Sequence, residues 1–444
     1  MSSAEVEGRA LLRSSMFNVR FWMFAFILLL TTQVPQARAQ LKQYDSRYYT
    51  IYTDIDADEE KEAAIRMTRM AEEYHERTKS FAGVIRNKFP FYLYRSRDDY
   101  YNAGGPPGSA GVFISAGADS KLMAIAGRHL EQDTWHVVQH EGFHQFAHAV
   151  IGGHIPIWLD EGLAEYFGES IFTGDGFVTG IVPPWREQRL KEEITTGQLK
   201  ALSAMMELSP DQWSAQLNIK NYDQAWSMVH FLVHGDDGKY ADAFAQCISE
   251  VSQGKTFSNA WRHTIGPADG FEARWKDWWT AQPESPTRAL YARAAVATVT
   301  SFVARASMQK QTFTGFDDFQ AAAEADKLQI SPDDWLPPAL IKNTLRLYGA
   351  LPDWDIIPGP NKRPIVTLTV FDGTKVTGSF TFRNGKVDQV NVDIDDMVPV
   401  LKSAHDLADT GKKSAARTIV LAAIKRLPKS PMIPNARAFL QTNR

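Results

Sequence analysis

Residues 140–144 read His140-Glu141-Gly142-Phe143-His144, an H-E-x-x-H spacing. Seventeen residues beyond His144 stands Glu161, inside Trp158-Leu159-Asp160-Glu161-Gly162-Leu163-Ala164-Glu165-Tyr166. Side chains four apart on an α-helix lie one turn above each other, so both imidazoles can point at one ion with Glu141 beside them. Zinc in a hydrolase typically takes three protein ligands and keeps a fourth position for water. His140 and His144 alone would be an incomplete set, and Glu161 is the third ligand expected here. The chemistry open to such a set is hydrolysis by a metal-activated water. The plainer alternative is an amphipathic helix whose histidines are surface or satisfied core residues.

Two helices must carry these groups. Asp133 and Thr134 are candidate N-caps, Val137, Val138, Phe143 and Phe146 recur at helical spacing, and Gly152-Gly153 offers a stop, which predicts a helix over 134–150. A second helix over 157–168 places Glu161 and Glu165 on one face, across a cleft from the first. His136 and His148 share the stripe of His140 and His144. They lie about 6 Å along the axis from the nearest ligand, and read as polar-face or supporting residues.

H-E-x-x-H followed by W-L-x-E-G-x-A-E-Y resembles the gluzincin clan of metallopeptidases, which includes thermolysin and the zinc aminopeptidases. The likeness is greatest to a bacterial branch of secreted gluzincin-like proteins of uncharacterised function. It is close over about thirty residues and extends across 45–280 in layout only. The resemblance implies that His140, His144 and Glu161 hold one catalytic zinc, that Glu141 is the general base, and that Glu165 supports the ligands from behind. The metzincin pattern would require Gly and His where Ala147 and Val150 stand. No G-x-M-E-N-like segment precedes the motif, so the aminopeptidase branch is not supported.

The reading that follows is a zinc metallopeptidase acting on a peptide or protein substrate. An oxyanion in such a reaction calls for a hydrogen-bond donor besides the metal. Tyr222 is the candidate donor and His230, two turns on, the reserve. Tyr222 opens a pattern whose apolar stripe, Trp226, Val229 and Val233, is expected to bury against the metal helix; the alternative is that Tyr222 merely packs. A functional reading of another class is a zinc-stabilised binding or scaffold protein of the cell envelope that has lost catalysis. The intact Glu141 argues against it.

At 444 residues, 44% hydrophobic and 23% charged, the chain is globular and long enough for two to four domains. A net charge of -4 makes no case for nucleic acid as a partner. The single cysteine, Cys247, excludes an intramolecular disulfide, and its apolar helical setting reads as a buried structural thiol. Arg9, Arg13 and Arg20 flank or precede an apolar run over 21–30, and Ala37-Arg38-Ala39 offers a cleavage site before Gln40. Residues 1–39 are therefore a predicted signal peptide, with export to the periplasm or the exterior; an uncleaved membrane anchor is the alternative. No later segment reads as a span.

The expected fold class is α+β: a small α/β N-terminal half and a mainly helical C-terminal half flank the zinc cleft. Strand signals at 48–53, 89–94, 111–115 and 121–125 and a helix over 57–79 form the first half, within a metallopeptidase domain over 40–285. Gly104-Gly105-Pro106-Pro107-Gly108 reads as a connector, with a mobile lid as the alternative. The tryptophans 226, 261, 275, 278 and 279 read as core. A helical extension and proline-rich linker over 286–360 then lead to a three-stranded antiparallel meander over 361–398. A basic helical tail, 399–444, carries Lys412, Lys413, Arg417, Lys425, Arg426 and Lys429; it is a solvated face or an envelope contact.

Overall fold

The computed structural model describes residues 40–443 apart from 116–119, 129, 153–154, 216–217 and 352, so the predicted signal segment lies outside the described residues. The fold is α+β. Its first sheet comprises β1 (Lys42–Asp45), β2 (Tyr49–Thr53), β3 (Phe89–Tyr94), β4 (Gly111–Ile114) and β5 (Lys121–Ile125), ordered β1-β2-β3-β5-β4. β2, β3 and β5 are parallel, while β1 and β4 close the two edges antiparallel. Alternation drives the placement: Tyr49, Ile51 and Thr53 of β2 and Phe89, Phe91 and Leu93 of β3 are buried. β1 is polar and mostly exposed, so no alternation announced it.

α1 (Ala57–Thr78) connects β2 to β3 and buries Ala63, Met67, Met70, Ala71 and Tyr74. A short α2 (Arg97–Asn102), capped by the Ser96 hydroxyl, precedes the glycine-rich turn. That turn wraps the buried Tyr100 ring: a Cβ on Gly105 would lie 2.2 Å from it, which fits a connector. The helix that carries His140 and His144 is α3 (Gln132–Phe146), starting two residues before the expected position with Glu131 at the cap. Its last expected turn is instead a π-helical turn, Ala147–Ile151, ended by Gly152 at φ 65°. α4 (Ile157–Gly168) has the expected bounds.

A two-stranded hairpin, β6 (Ile171–Phe172) and β7 (Phe177–Val178), leads into the helical half. This half comprises α5 (Pro184–Thr195), α6 (Leu202–Met206), α7 (Pro210–Ala215), α8 (Ile219–Gly238), α9 (Ala241–Ser252), α10 (Phe257–Thr264) and α11 (Ala268–Ala281). One apolar core runs from Tyr49 to Trp279 and contains Trp226, Trp261, Trp275 and Trp279, with Trp278 packed against it. Cys247 is buried there, and burial pushes its thiol up to about 11.

A second core is built on α12 (Arg288–Met308), with α13 (Phe316–Glu324) and α14 (Pro338–Tyr348) beside it. The sheet over α12 has four strands, not three: β8 (Trp354–Pro358), β9 (Pro364–Thr369), β10 (Lys375–Arg383) and β11 (Lys386–Asp395), ordered β11-β10-β9-β8. β8 occupies the segment expected to be a linker. Its one proline, Pro358, is its last residue, and β8 pairs along only one side, an arrangement an edge strand tolerates. Gly378 lets β10 press on the helix, since a Cβ there would lie 2.0 Å from the Thr300 hydroxyl. α15 (Met397–Asp409), α16 (Lys413–Arg426) and α17 (Ile433–Thr442) share a small core of their own. Among the described residues no helix is long and apolar enough to cross a membrane.

Candidate metal centre

α3 turns Trp135, Val138, Phe143 and Phe146 into the core, which leaves His140, Glu141 and His144 toward the cleft. Gly142 lets α1 sit against the motif: a Cβ there would lie 3.2 Å from the Tyr74 hydroxyl, which donates to the Gln139 carbonyl. α4 is fastened to α3 by the buried Gln139 amide, whose Nε2 lies 3.0–3.1 Å from the carbonyls of Phe167, Gly168 and Ser170. These include carbonyls that the end of a helix leaves without partners. On its other side α4 lies against α8. A Cβ on Gly162 would be 2.6 Å from the Ala225 carbonyl, so the glycine after Glu161 sets a close approach that a larger residue would prevent.

These contacts bring three ligand-type atoms together. His140 Nε2 is 3.2 Å from His144 Nε2 and 3.2 Å from Glu161 Oε2, and His144 Nε2 is 3.6 Å from the same carboxylate oxygen. Each imidazole is backed by a second carboxylate: His140 Nδ1 by Glu165 at 3.2 Å, His144 Nδ1 by Asp160 at 2.9 Å. A carboxylate only accepts, so each Nδ1 carries a hydrogen; a ring without a second proton, the state that binds a metal ion, presents a lone pair at Nε2. Two lone pairs and the carboxylate oxygen then converge without a donor, and Glu161 Oε2 is buried with no hydrogen-bond partner. A cation resolves that arrangement. For bonds of about 2.0–2.1 Å in tetrahedral geometry, ligand atoms stand about 3.4 Å apart, which these spacings match.

The electrostatics carry the same demand for positive charge. Burial works against protonating His140, yet Glu161 and Glu165 push its pKa up to about 10. Burial likewise opposes the Glu161 carboxylate, but the two imidazoles hold it down at about 2. Glu165 lies well below the ordinary range: against its burial stand Arg186 first and His140 next.

Glu141 points across the cleft to the edge strand, where its Oε2 accepts from the Phe113 amide at 2.8 Å. Gly111 makes this approach possible, since a Cβ there would lie 2.4 Å from Val137 Cγ1 on α3. Tyr222, at the start of α8, is partly buried and packs edge-on against Trp213. Its pKa is raised by burial first and then by the charges of Glu161, Glu165 and Glu141, so the phenol stays protonated.

The reserve donor is corrected. His230 is buried among Trp226, His234, Trp278 and Trp279 with Nε2 at 3.2 Å from the Gly180 carbonyl, and burial lowers its pKa to about 3. Eight residues from Tyr222 correspond to about 12 Å along the helix, which carries His230 into the aromatic core. The stripe of α8 is corrected too: Val229 meets α4 at Gly162 and Trp226 meets Trp279 of α11, because α4 lies where the metal helix was expected. His136 and His148 fall outside the ligand set. His136 Nε2 is 4.0 Å from Glu165, and the π-helical turn carries His148 to Ser115 beside β4. Gln139, Asp160, Arg186 and the Phe113 amide were not singled out in the sequence. Only Asp160, adjacent to Glu161, had a positional cue.

A family model described as a protein of unknown function (DUF1570) matches residues 135–258, a span that holds His140, Glu141, His144, Asp160, Glu161, Glu165, Arg186 and Tyr222. No curated protein matches the chain.

Proposed function

We propose that the protein is an exported zinc-dependent metallopeptidase. The observation that carries this reading is the convergence of His140 Nε2, His144 Nε2 and the partnerless Glu161 Oε2 beside the Glu141 carboxylate. His140, His144 and Glu161 would hold one zinc, and a zinc so held supplies Lewis acidity and a water acidified toward neutrality. Glu141 takes the proton of the attacking water on the carboxylate that the Phe113 amide orients, and returns it to the leaving amine. Glu165 and Asp160 fix the ring orientations and raise the basicity of Nε2. The Tyr222 phenol, kept protonated, donates to the oxyanion that develops on the substrate carbonyl.

The test is metal analysis of the purified protein together with digestion of casein and a broad peptide library, with and without chelator. One zinc per chain and chelator-sensitive cleavage are expected. A zinc-loaded protein that cleaves no peptide would return the chain to the binding or scaffold reading.

A further inference from the structure

Beside the proposed centre lies a second trio of possible ligands, His136, Glu165 and Glu169, whose ligand-type atoms lie within 4.8 Å of one another. Glu165 also backs His140 of the first centre, so the trio is a place where a second metal ion could stand next to the proposed zinc. Here a guanidinium occupies it. Arg186 Nη1 is 2.6 Å from Glu165 Oε2 and 2.9 Å from Glu169 Oε1, while its Nε is 2.8 Å from Asp223 Oδ1. His136 Nε2 is 4.0 Å from that same Glu165 oxygen. Arg186 is buried with its guanidinium 4.5 Å over the Trp226 ring, a wall that offers no ligand to complete the shell of a metal ion. Planar, permanently charged and weakly hydrated, a guanidinium suits such a site.

We infer that Arg186 stands in the position of a second cation, keeping the centre mononuclear and holding Glu165 against His140. The inference rests on the proposed zinc centre. Glu165 divides its two oxygens, Oε2 to Arg186 and Oε1 to His140 Nδ1 at 3.2 Å, so the guanidinium acts on the ligand only through this carboxylate. Arg186 is thus a positioning residue. Without it Glu165 and Glu169 would face His136 with their two negative charges and no guanidinium between them, while Asp223 would keep its pairing with Arg189. A divalent ion would then satisfy them.

Zinc stoichiometry and affinity, measured by elemental analysis and chelator competition, test this on the full-length mature chain. Wild type should hold one zinc. R186M should hold two, with the first bound on the order of tenfold more weakly, and R186M/E169Q should return to one. A single zinc in R186M overturns the inference. Should R186M fold only with metal, circular dichroism during zinc addition decides: recovery that needs the second equivalent supports the assignment, and no recovery with zinc overturns it. Wild type without zinc would overturn the functional proposal instead, and so is distinguishable.

Discussion

Arg186 and Arg305 are both buried, and each joins segments far apart in sequence. Arg305, on α12, forms paired 2.8 Å bonds to both oxygens of Asp175 and reaches Asp334, whose remaining oxygen accepts from the Val387 amide. Its network ends on the Val387 amide at Asp334 and on Arg69 of α1, 4.0 Å from Asp175, and ties the β6–β7 hairpin, α12 and β11 together. Arg186 makes the same kind of bonds, but one of its carboxylates continues to an imidazole. The two regions therefore use one device for different ends. What a buried ion pair does is told by what the far oxygen of its carboxylate touches, and burial alone does not tell it.

Ligand and base variants should separate the two regions most strongly. Glu161→Ala should abolish zinc binding and hydrolysis, and Glu141→Gln should keep zinc yet lose about 10²–10⁴-fold in kcat, since an amide cannot take the proton. Full zinc occupancy in the first variant, or unchanged turnover in the second, would break the assignment. Arg305→Met should cost about 3–5 kcal/mol of stability by leaving Asp334 without its cation and Asp175 with only Arg69, 4.0 Å away, with zinc affinity unchanged in the protein that remains folded. A change in zinc affinity would show that the second network also reaches the centre, and the contrast with Arg186 would fall.

Tyr222→Phe should lower kcat about a hundredfold with zinc content and melting temperature nearly unaltered. Wild-type turnover would leave Tyr222 as a packing residue against Trp213. The smallest expected effect is a pH dependence. In the metal-free protein His140 has a pKa raised to about 10, so its contribution to stability is complete below the ordinary value near 6.5 and is lost as pH rises through 10. Zinc must displace those protons, and its affinity should rise by up to about tenfold per pH unit for each proton released. The gap in melting temperature between zinc-loaded and chelated protein should widen across that window. A constant gap would mean that the imidazoles titrate alike in both forms.

Much of the centre was legible because its parts are local. The four-residue spacing of His140 and His144, and of Glu161 and Glu165, follows from the helical repeat whatever surrounds it. The alternation in β2 and β3 and the tryptophan core were readable for the same reason. Where the reading failed, the deciding partner was distant in sequence. β8 is a strand because it pairs with β9, which no composition of 352–364 could announce. His230 faces tryptophans from α8 itself and from α11, and a helical wheel of α8 by itself cannot say which neighbour each face meets.

By itself the sequence determined which residues could be ligands and base, since residue type and helical period are properties of the chain. Tertiary structure decided how these residues meet. The Gln139 amide fastens α4 to α3, Gly162 sets the distance to α8, and Gly111 brings the Phe113 amide onto Glu141. Arg186 closes on carboxylates from α4 and α8. These contacts span 17 to 63 residues of chain. A hydrogen bond or van der Waals contact acts over a few ångströms whatever the separation along the chain, so its existence is fixed only when the whole core has packed.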